Sequence, residues 1–253
     1  MYLIADIGNS RIKLGCFLDS YNPYCYFTSY HIKDELISIL TKIKENQCIE
    51  KIFFCSVKYD FNTIFCDCVR EVFNIEAYMI THRDINLKDN LYEPENAVGI
   101  DRILSTYASI CIEGNTQYKY ASLVVDMGTA TTISVMLSDF VFLGGLIMSG
   151  TKTSSLALSE KTSLPYYEIE HIDSIPSPIM NNVKDALITG SIYNTIGSIM
   201  YTVNSTKEYI KEKYNIPVKI FLTGGISNLN LLQCKVYPYL VLQGIYFTVS
   251  DNK

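Results

Sequence analysis

The feature that most restricts the fold is a short pattern that occurs twice. "LIADIGNSRIKLGCF" (3–17) is apolar up to Asp6, turns over Gly8 and resumes as a second strand-like stretch. "LVVDMGTATTISVML" (123–137) does the same through Asp126 and Gly128. Both Asp6/Asp126 and Gly8/Gly128 match at an offset of 120 residues, while the apolar alternation after the turn slips by one residue between copies. An Asp at a strand end projects its carboxylate beyond the sheet. Glycine in the following turn removes the Cβ that would keep a ligand from the backbone. The N–H groups of such a turn can donate to phosphate oxygens, with Asn9, Ser10, Thr129 and Thr131 adding side-chain donors. The carboxylate can hold a hydrated cation that offsets polyphosphate charge. Two halves facing each other would form a cleft in which the paired turns grip one nucleotide from opposite sides. A lone D-x-G is an ordinary turn signal; two copies, each after a buried strand, are what give it weight. The P-loop and dinucleotide fingerprints are both absent.

The hydrophobic period extends this reading to the whole chain. Strands are expected at 2–6, 11–18 and 24–30, with Ile12, Leu14 and Cys16 on one face, and again at 51–57 and 76–81. Helices are expected at 33–46, 61–74 and 99–114. The pattern then restarts with strands at 122–127, 131–138 and 141–150, a helix at 151–164 and a loop over 165–180. A long helix follows over 181–214, with Gly190 and Gly197 as points of close helix packing, then a strand and turn at 218–225 and a short helix at 228–235. "PYLVLQGIYFTV" closes the chain. The expected organisation is an N-terminal lobe at 1–115 and a C-terminal lobe at 116–253, and 253 residues suffice for both.

Bulk properties remove several function classes. The net charge is −5 with no basic block, so nucleic-acid and membrane-surface roles receive no support. "MYLIAD" lacks the basic start of a signal peptide, and nothing approaches the ~20 apolar residues of a membrane span, so a cytoplasmic protein is expected. Eight scattered cysteines without a C-x-x-C pair, alongside three histidines, are expected as buried free thiols.

Two further stretches carry chemistry. "FLTGGISN" (221–228) would let a base or ribose lie against the backbone at Gly224 and Gly225, although a plain tight connection explains it equally. In "VGIDRI" (98–103), Asp101 and Arg102 follow Gly99 at a helix start. Helix-end electrostatics and a solvated charge are the bland explanation. The functional one makes Asp101 the acceptor of a hydroxyl proton and Arg102 the partner of an anionic acceptor group.

Together, "DIGNSRIK" (6–13), "YEPENAVGIDR" (92–102), "DMGTATT" (126–132), "GGLIMSG" (144–150) and "LTGG" (222–225) resemble the type III pantothenate kinases, within the acetate kinase, sugar kinase, Hsp70 and actin superfamily. The resemblance spans nearly the whole chain. It implies an α/β, duplicated ribonuclease H-like fold with two lobes around a central cleft. It implies ATP-dependent phosphorylation of pantothenate at its primary hydroxyl, the first step of coenzyme A biosynthesis. By the same match, Asp6, Ile7, Gly8, Asn9, Ser10, Arg11, Ile12 and Lys13 form the first phosphate-binding segment and Thr129 contacts ATP. Tyr92, Gly99, Ile100, Asp101 and Arg102 contact pantothenate, with Asp101 as proton acceptor. Asp126 holds a monovalent cation, potassium or ammonium; magnesium accompanies ATP. A homodimer is implied, with the helix around 183–200 as candidate interface. Three positions depart from the pattern. Val183 stands where a substrate-contacting Thr is usual, with Asn182 or a neighbour as substitute. Pro94 falls one residue earlier relative to Gly99, and Ser149 replaces a proline. Two other readings keep the same fold: a non-catalytic nucleotide-binding regulator of transcription, against which the Asp101–Arg102 pair argues, and a kinase or hydrolase with another small acceptor.

Overall fold

A computed structural model of the chain describes residues 1–114, 116–169, 175–225 and 234–250. The described residues form two compact units. The first comprises residues up to Gly114, Phe140–Phe142 and the residues from Tyr239 onward; the second comprises Thr116–Asp139 and Leu143–Pro238. The C-terminal segment from Tyr239 onward thus clusters with the N-terminal residues.

In the first unit, β1 (Tyr2–Ile7) pairs antiparallel with β2 (Ile12–Phe17), which pairs antiparallel with β3 (Cys25–Ser29). After α1 (Lys33–Asn46), β4 (Lys51–Ser56) lies parallel to β1 on its other side. Helix α2 (Asn62–Phe73) leads to β5 (Ala77–Met79), giving the sheet order β3-β2-β1-β4-β5. Leu3, Ala5 and Ile7 alternate onto one face, where they join Ile12, Leu14 and Phe54 under Leu36 and Leu40 of α1 and Phe65 and Val69 of α2. Burial of each large apolar side chain here contributes roughly 1.5–3 kcal/mol, well above differences in intrinsic helix propensity. Helix α2 stops at Asn74, whose left-handed backbone (φ 56°) returns an N–H to the Arg70 carbonyl.

The two-residue β6 (Asp89–Asn90) was not anticipated; it pairs with Val141 and Phe142. It precedes α3 (Ile100–Glu113), which is buried on nearly every side from Ile100 to Ile110.

The second unit repeats the plan. Strand β7 (Ala121–Met127) pairs antiparallel with β8 (Ala130–Leu137), which neighbours β9 (Val141–Ser149). Helices α4 (Thr151–Lys161) and α5 (Val183–Tyr214) follow, and β10 (Val218–Thr223) lies parallel to β7. Leu123, Val125 and Met127 face Ile199, Val203 and Ile210 of α5, repeating the Leu3, Ala5, Ile7 face at the same offset. The one-residue slip seen in the sequence has a geometric origin. Residues 8–11 lie between the last pair Ile7↔Ile12, but only 128–130 lie between Met127↔Thr131. The second turn is one residue shorter, so every later side chain changes register.

The expected short helix at 228–235 falls largely outside the described residues. The closing apolar segment is α6 (Leu240–Ser250), packed on α3, β1 and β2 in the first unit. Gly190 and Gly197 do not mark close packing within the chain: a Cβ on either would meet nothing within 4 Å among the described residues. The cysteines are all free, but only Cys16, Cys55 and Cys68 are buried, and Cys48 is exposed.

Helix α6 approaches α3 closely because Gly244 has no side chain; a Cβ there would lie 2.2 Å from the Leu104 carbonyl oxygen. Backbone cannot yield as a flexible side chain can. Gly244→Ala is therefore expected to lower unfolding stability by ~2 kcal/mol, read as a shifted urea midpoint with unchanged slope. An unchanged midpoint would contradict this packing.

Candidate active site

In the first unit the site is built around the end of β1. Asp6 is only 4% exposed and lies on the face opposite Leu3, Ala5 and Ile7. Its cross-strand partner on β2 is Lys13, whose Nζ is 3.4 Å from Asp6 Oδ2. Its partner on β4 is Cys55, whose thiol donates to Asp6 Oδ1 at 3.7 Å. Burial pushes the Cys55 thiol well up from its ordinary range, and the charges of Asp6 and Asp101 push it further. Cys55 is therefore a neutral donor in the electrostatic reach of both carboxylates. The turn after β1 is closed by the Gly8 N–H, which donates to the Arg11 carbonyl at 3.1 Å. Asn9, Ser10 and Arg11 are exposed.

Asp101 occupies the first turn of α3, where the helix dipole favours a carboxylate. The Arg102 backbone N–H donates to Asp101 Oδ1 at 2.9 Å, fixing the side chain over its own helix start. Gly99 leaves the room for it: a Cβ there would sit 2.5 Å from Asp101 Oδ1. Arg102 is buried, with its guanidinium 5.6 Å from the centre of the Tyr92 ring. Tyr92 in turn tilts against Phe142 at 6.5 Å. The loop leading into α3 is tied down by His82, which donates to the Val98 carbonyl at 2.9 Å. The structure thus brings Tyr92 to Arg102 within one unit, where the charges of Asp6 and Asp101 both act on Cys55.

In the second unit three of the sequence motifs converge. Asp126 is half-buried near the end of β7, opposite Thr132 on β8 and Thr223 on β10. Gly224 follows β10 with φ +97°, and a Cβ there would lie 2.6 Å from Asp126 Oδ1. The Thr129 carbonyl accepts from the Gly150 N–H at 3.1 Å and from the Thr153 hydroxyl at 2.6 Å. Turn 128–130 is thereby fixed to the start of α4, and Thr129 remains exposed. Ser149, the departure from a proline, shares a 2.6 Å hydrogen bond with the Ser154 hydroxyl in the first turn of α4. Gly225 is placed directly after Gly224, and among the described residues nothing lies within 4 Å of a Cβ there. Val183 is exposed and opens α5, while the Asn182 side chain caps that helix by accepting from the Asp185 N–H at 2.9 Å. The side chain considered as a substitute contact is thus committed to a cap.

Cys55 and His31, which bonds the first turn, were missed by sequence reading because their partners lie 49 and 23 residues away. Only the β1–β4 register could have flagged Cys55. Among the described residues no three His, Cys, Asp or Glu side chains cluster as a metal site.

Among solved structures, the fold resembles a Sinorhizobium meliloti protein assigned as a 2-dehydro-3-deoxygalactonokinase (TM-score 0.52, 11% identity, covering 99% of this chain and 96% of that one). It also resembles a Listeria monocytogenes protein assigned as an N-acetylmannosamine kinase (TM-score 0.51, 12% identity, 100% and 99% covered). With the repeated β-hairpin and parallel strand, these likenesses define an α/β protein of the duplicated ribonuclease H-like fold. Within that class, the family model for type III pantothenate kinase matches residues 2–205. A type III pantothenate kinase from a Sulfurihydrogenibium species is 32% identical, covering 98% of both chains. One from Finegoldia magna is 30% identical, covering 99% of this chain and 97% of its own. The chain belongs to the type III pantothenate kinase family.

Proposed function

We propose that the protein transfers the γ-phosphoryl group of ATP to the primary hydroxyl of pantothenate, with Asp101 as general base. The reaction is the first step of coenzyme A biosynthesis, and its products are 4′-phosphopantothenate and ADP. The family assignment over nearly the whole chain supports the activity, and the relatives named above give no support to the regulator alternative.

The observation that carries the assignment of roles is the environment of Asp101. Its carboxylate is held at a helix start by the Arg102 N–H, beside a glycine that leaves it space. In this reading Asp101 takes the hydroxyl proton as the pantothenate oxygen forms its bond to the γ-phosphorus. The bond from that phosphorus to the bridging oxygen of ADP breaks, and ADP leaves with that electron pair. Arg102 pairs with the pantothenate carboxylate, and Tyr92, Gly99 and Ile100 complete the acceptor contacts. Asp6 to Lys13 supply N–H and ammonium donors to the phosphates, and Thr129 adds a hydroxyl contact to ATP. A divalent cation accompanies ATP, neutralising charge on the transferring group; we assign it as magnesium. Asp126, beside which Gly224 places no Cβ, is assigned a monovalent cation such as potassium or ammonium.

Exposed Val183, Tyr193, Met200 and Tyr201 on α5, together with the open space at Gly190 and Gly197, support a homodimer formed through that helix. No described helix is long and apolar enough to cross a membrane, which accords with a cytoplasmic enzyme.

Asp101→Asn keeps shape and removes the base. Turnover should fall ~10²–10⁴-fold with an unchanged melting temperature; full activity would rule out the assigned base. Exchange of potassium for sodium should slow the wild-type reaction. Equal initial rates in the two salts at matched ionic strength would remove the role given to Asp126.

A further inference from the structure

The first turn contains a peptide unit whose orientation decides whether the turn attracts or repels phosphate. Gly8 and Asn9 are joined by a trans peptide, so the Gly8 carbonyl and the Asn9 N–H lie in one plane and point in opposite directions. Glycine on one side of that plane makes rotation of the unit easy. In one orientation the turn offers an N–H to solvent; in the other it offers a carbonyl oxygen, which repels a phosphate oxygen.

His31 distinguishes the two orientations. Its Nε2 lies 2.9 Å from the Gly8 carbonyl oxygen. A carbonyl only accepts, so Nε2 carries the hydrogen. The ring is held edge-on against buried Phe61, with centroids 5.2 Å apart and planes at 76°. Rotation of the Gly8–Asn9 peptide would break this bond and bring the Asn9 N–H toward the imidazole N–H, donor against donor. We infer that His31 is the positioning residue of the phosphate-binding turn, acting through the Gly8 carbonyl to aim the Asn9 N–H at the phosphates of ATP. The inference rests on the reading of Asp6 to Lys13 as the phosphate segment.

The second turn supports this logic with different residues. There the clamped carbonyl lies one residue further on: the Gly150 N–H and the Thr153 hydroxyl hold the Thr129 carbonyl, which orients the Thr129–Ala130 peptide. Each turn therefore has a carbonyl clamped from outside the hairpin. In the first, the clamp is one half-buried side chain that no other described hydrogen bond duplicates at Gly8.

The test compares His31→Ala, which removes the donor, with His31→Gln, which keeps an N–H donor on a side chain of similar reach. Steady-state kinetics are read with ATP and pantothenate varied separately. The Asn9 amide resonance of ¹⁵N-labelled protein is read on addition of magnesium and the non-hydrolysable analogue AMP-PNP. His31→Ala should raise the KM for ATP by about 5-fold and leave the KM for pantothenate unchanged, as fits the loss of one hydrogen bond. It should also reduce the Asn9 response to AMP-PNP, and His31→Gln should restore both. A normal KM for ATP and a normal Asn9 response in His31→Ala would overturn the inference. So would equal impairment of the two variants, which would mark a packing role. If the wild-type Asn9 amide does not respond to AMP-PNP, the phosphate-segment reading itself fails, and the inference with it.

Discussion

A carboxylate that is only 4% exposed needs partners, and the first unit supplies Asp6 with one from each neighbouring strand. Lys13 comes from the antiparallel side and Cys55 from the parallel side. Both are register partners, so these contacts exist only if β1 pairs correctly with β2 and β4 together. A slip of one residue would carry the carboxylate into the cluster of Leu3, Ala5 and Ile7. The packing of α1 and α2 on that apolar face and the polar site on the other face thus depend on the same alignment.

The second unit uses the same alignment with altered chemistry. Asp126 is half-buried, and its cross-strand partners are threonines rather than a lysine and a thiol. No ammonium therefore comes from its register partners, a difference from Asp6 that accords with the cation proposed for Asp126. The one-residue shortening of the turn after β7 shifts the following strand and puts Thr132 where β2 has Lys13. The two turns are thus related in plan, and a threonine in place of a lysine opposite the carboxylate gives them different electrostatic character.

Much of this was legible in the sequence because the strands alternate and helices α1 and α2 carry a clear apolar stripe. The turns were marked by Asp-x-Gly, and the start of α3 by Gly99. Other features left no local signal. "LVLQGIYFTV" is apolar on all sides, so periodicity alone did not type α6, whose role comes from packing on α3. Strand β6 spans two residues, too short for any alternation. Cys55 and His31 act through partners distant in sequence, and the first depends on a strand register that a single chain of letters does not display. Gly190 and Gly197 were read as packing points because small residues at helical spacing resemble them, yet both face open space among the described residues.

The central claim is that the paired Asp6 carboxylate organises the first turn for phosphoryl transfer. Its most direct test is the ³¹P spectrum of ATP incubated with pantothenate, magnesium and Asp6→Asn protein whose melting temperature matches the wild type. The account predicts a wild-type reaction yielding phosphopantothenate and ADP in equal amounts, and product formation slowed at least ~100-fold in the variant. Conversion by Asp6→Asn at the wild-type rate would contradict it.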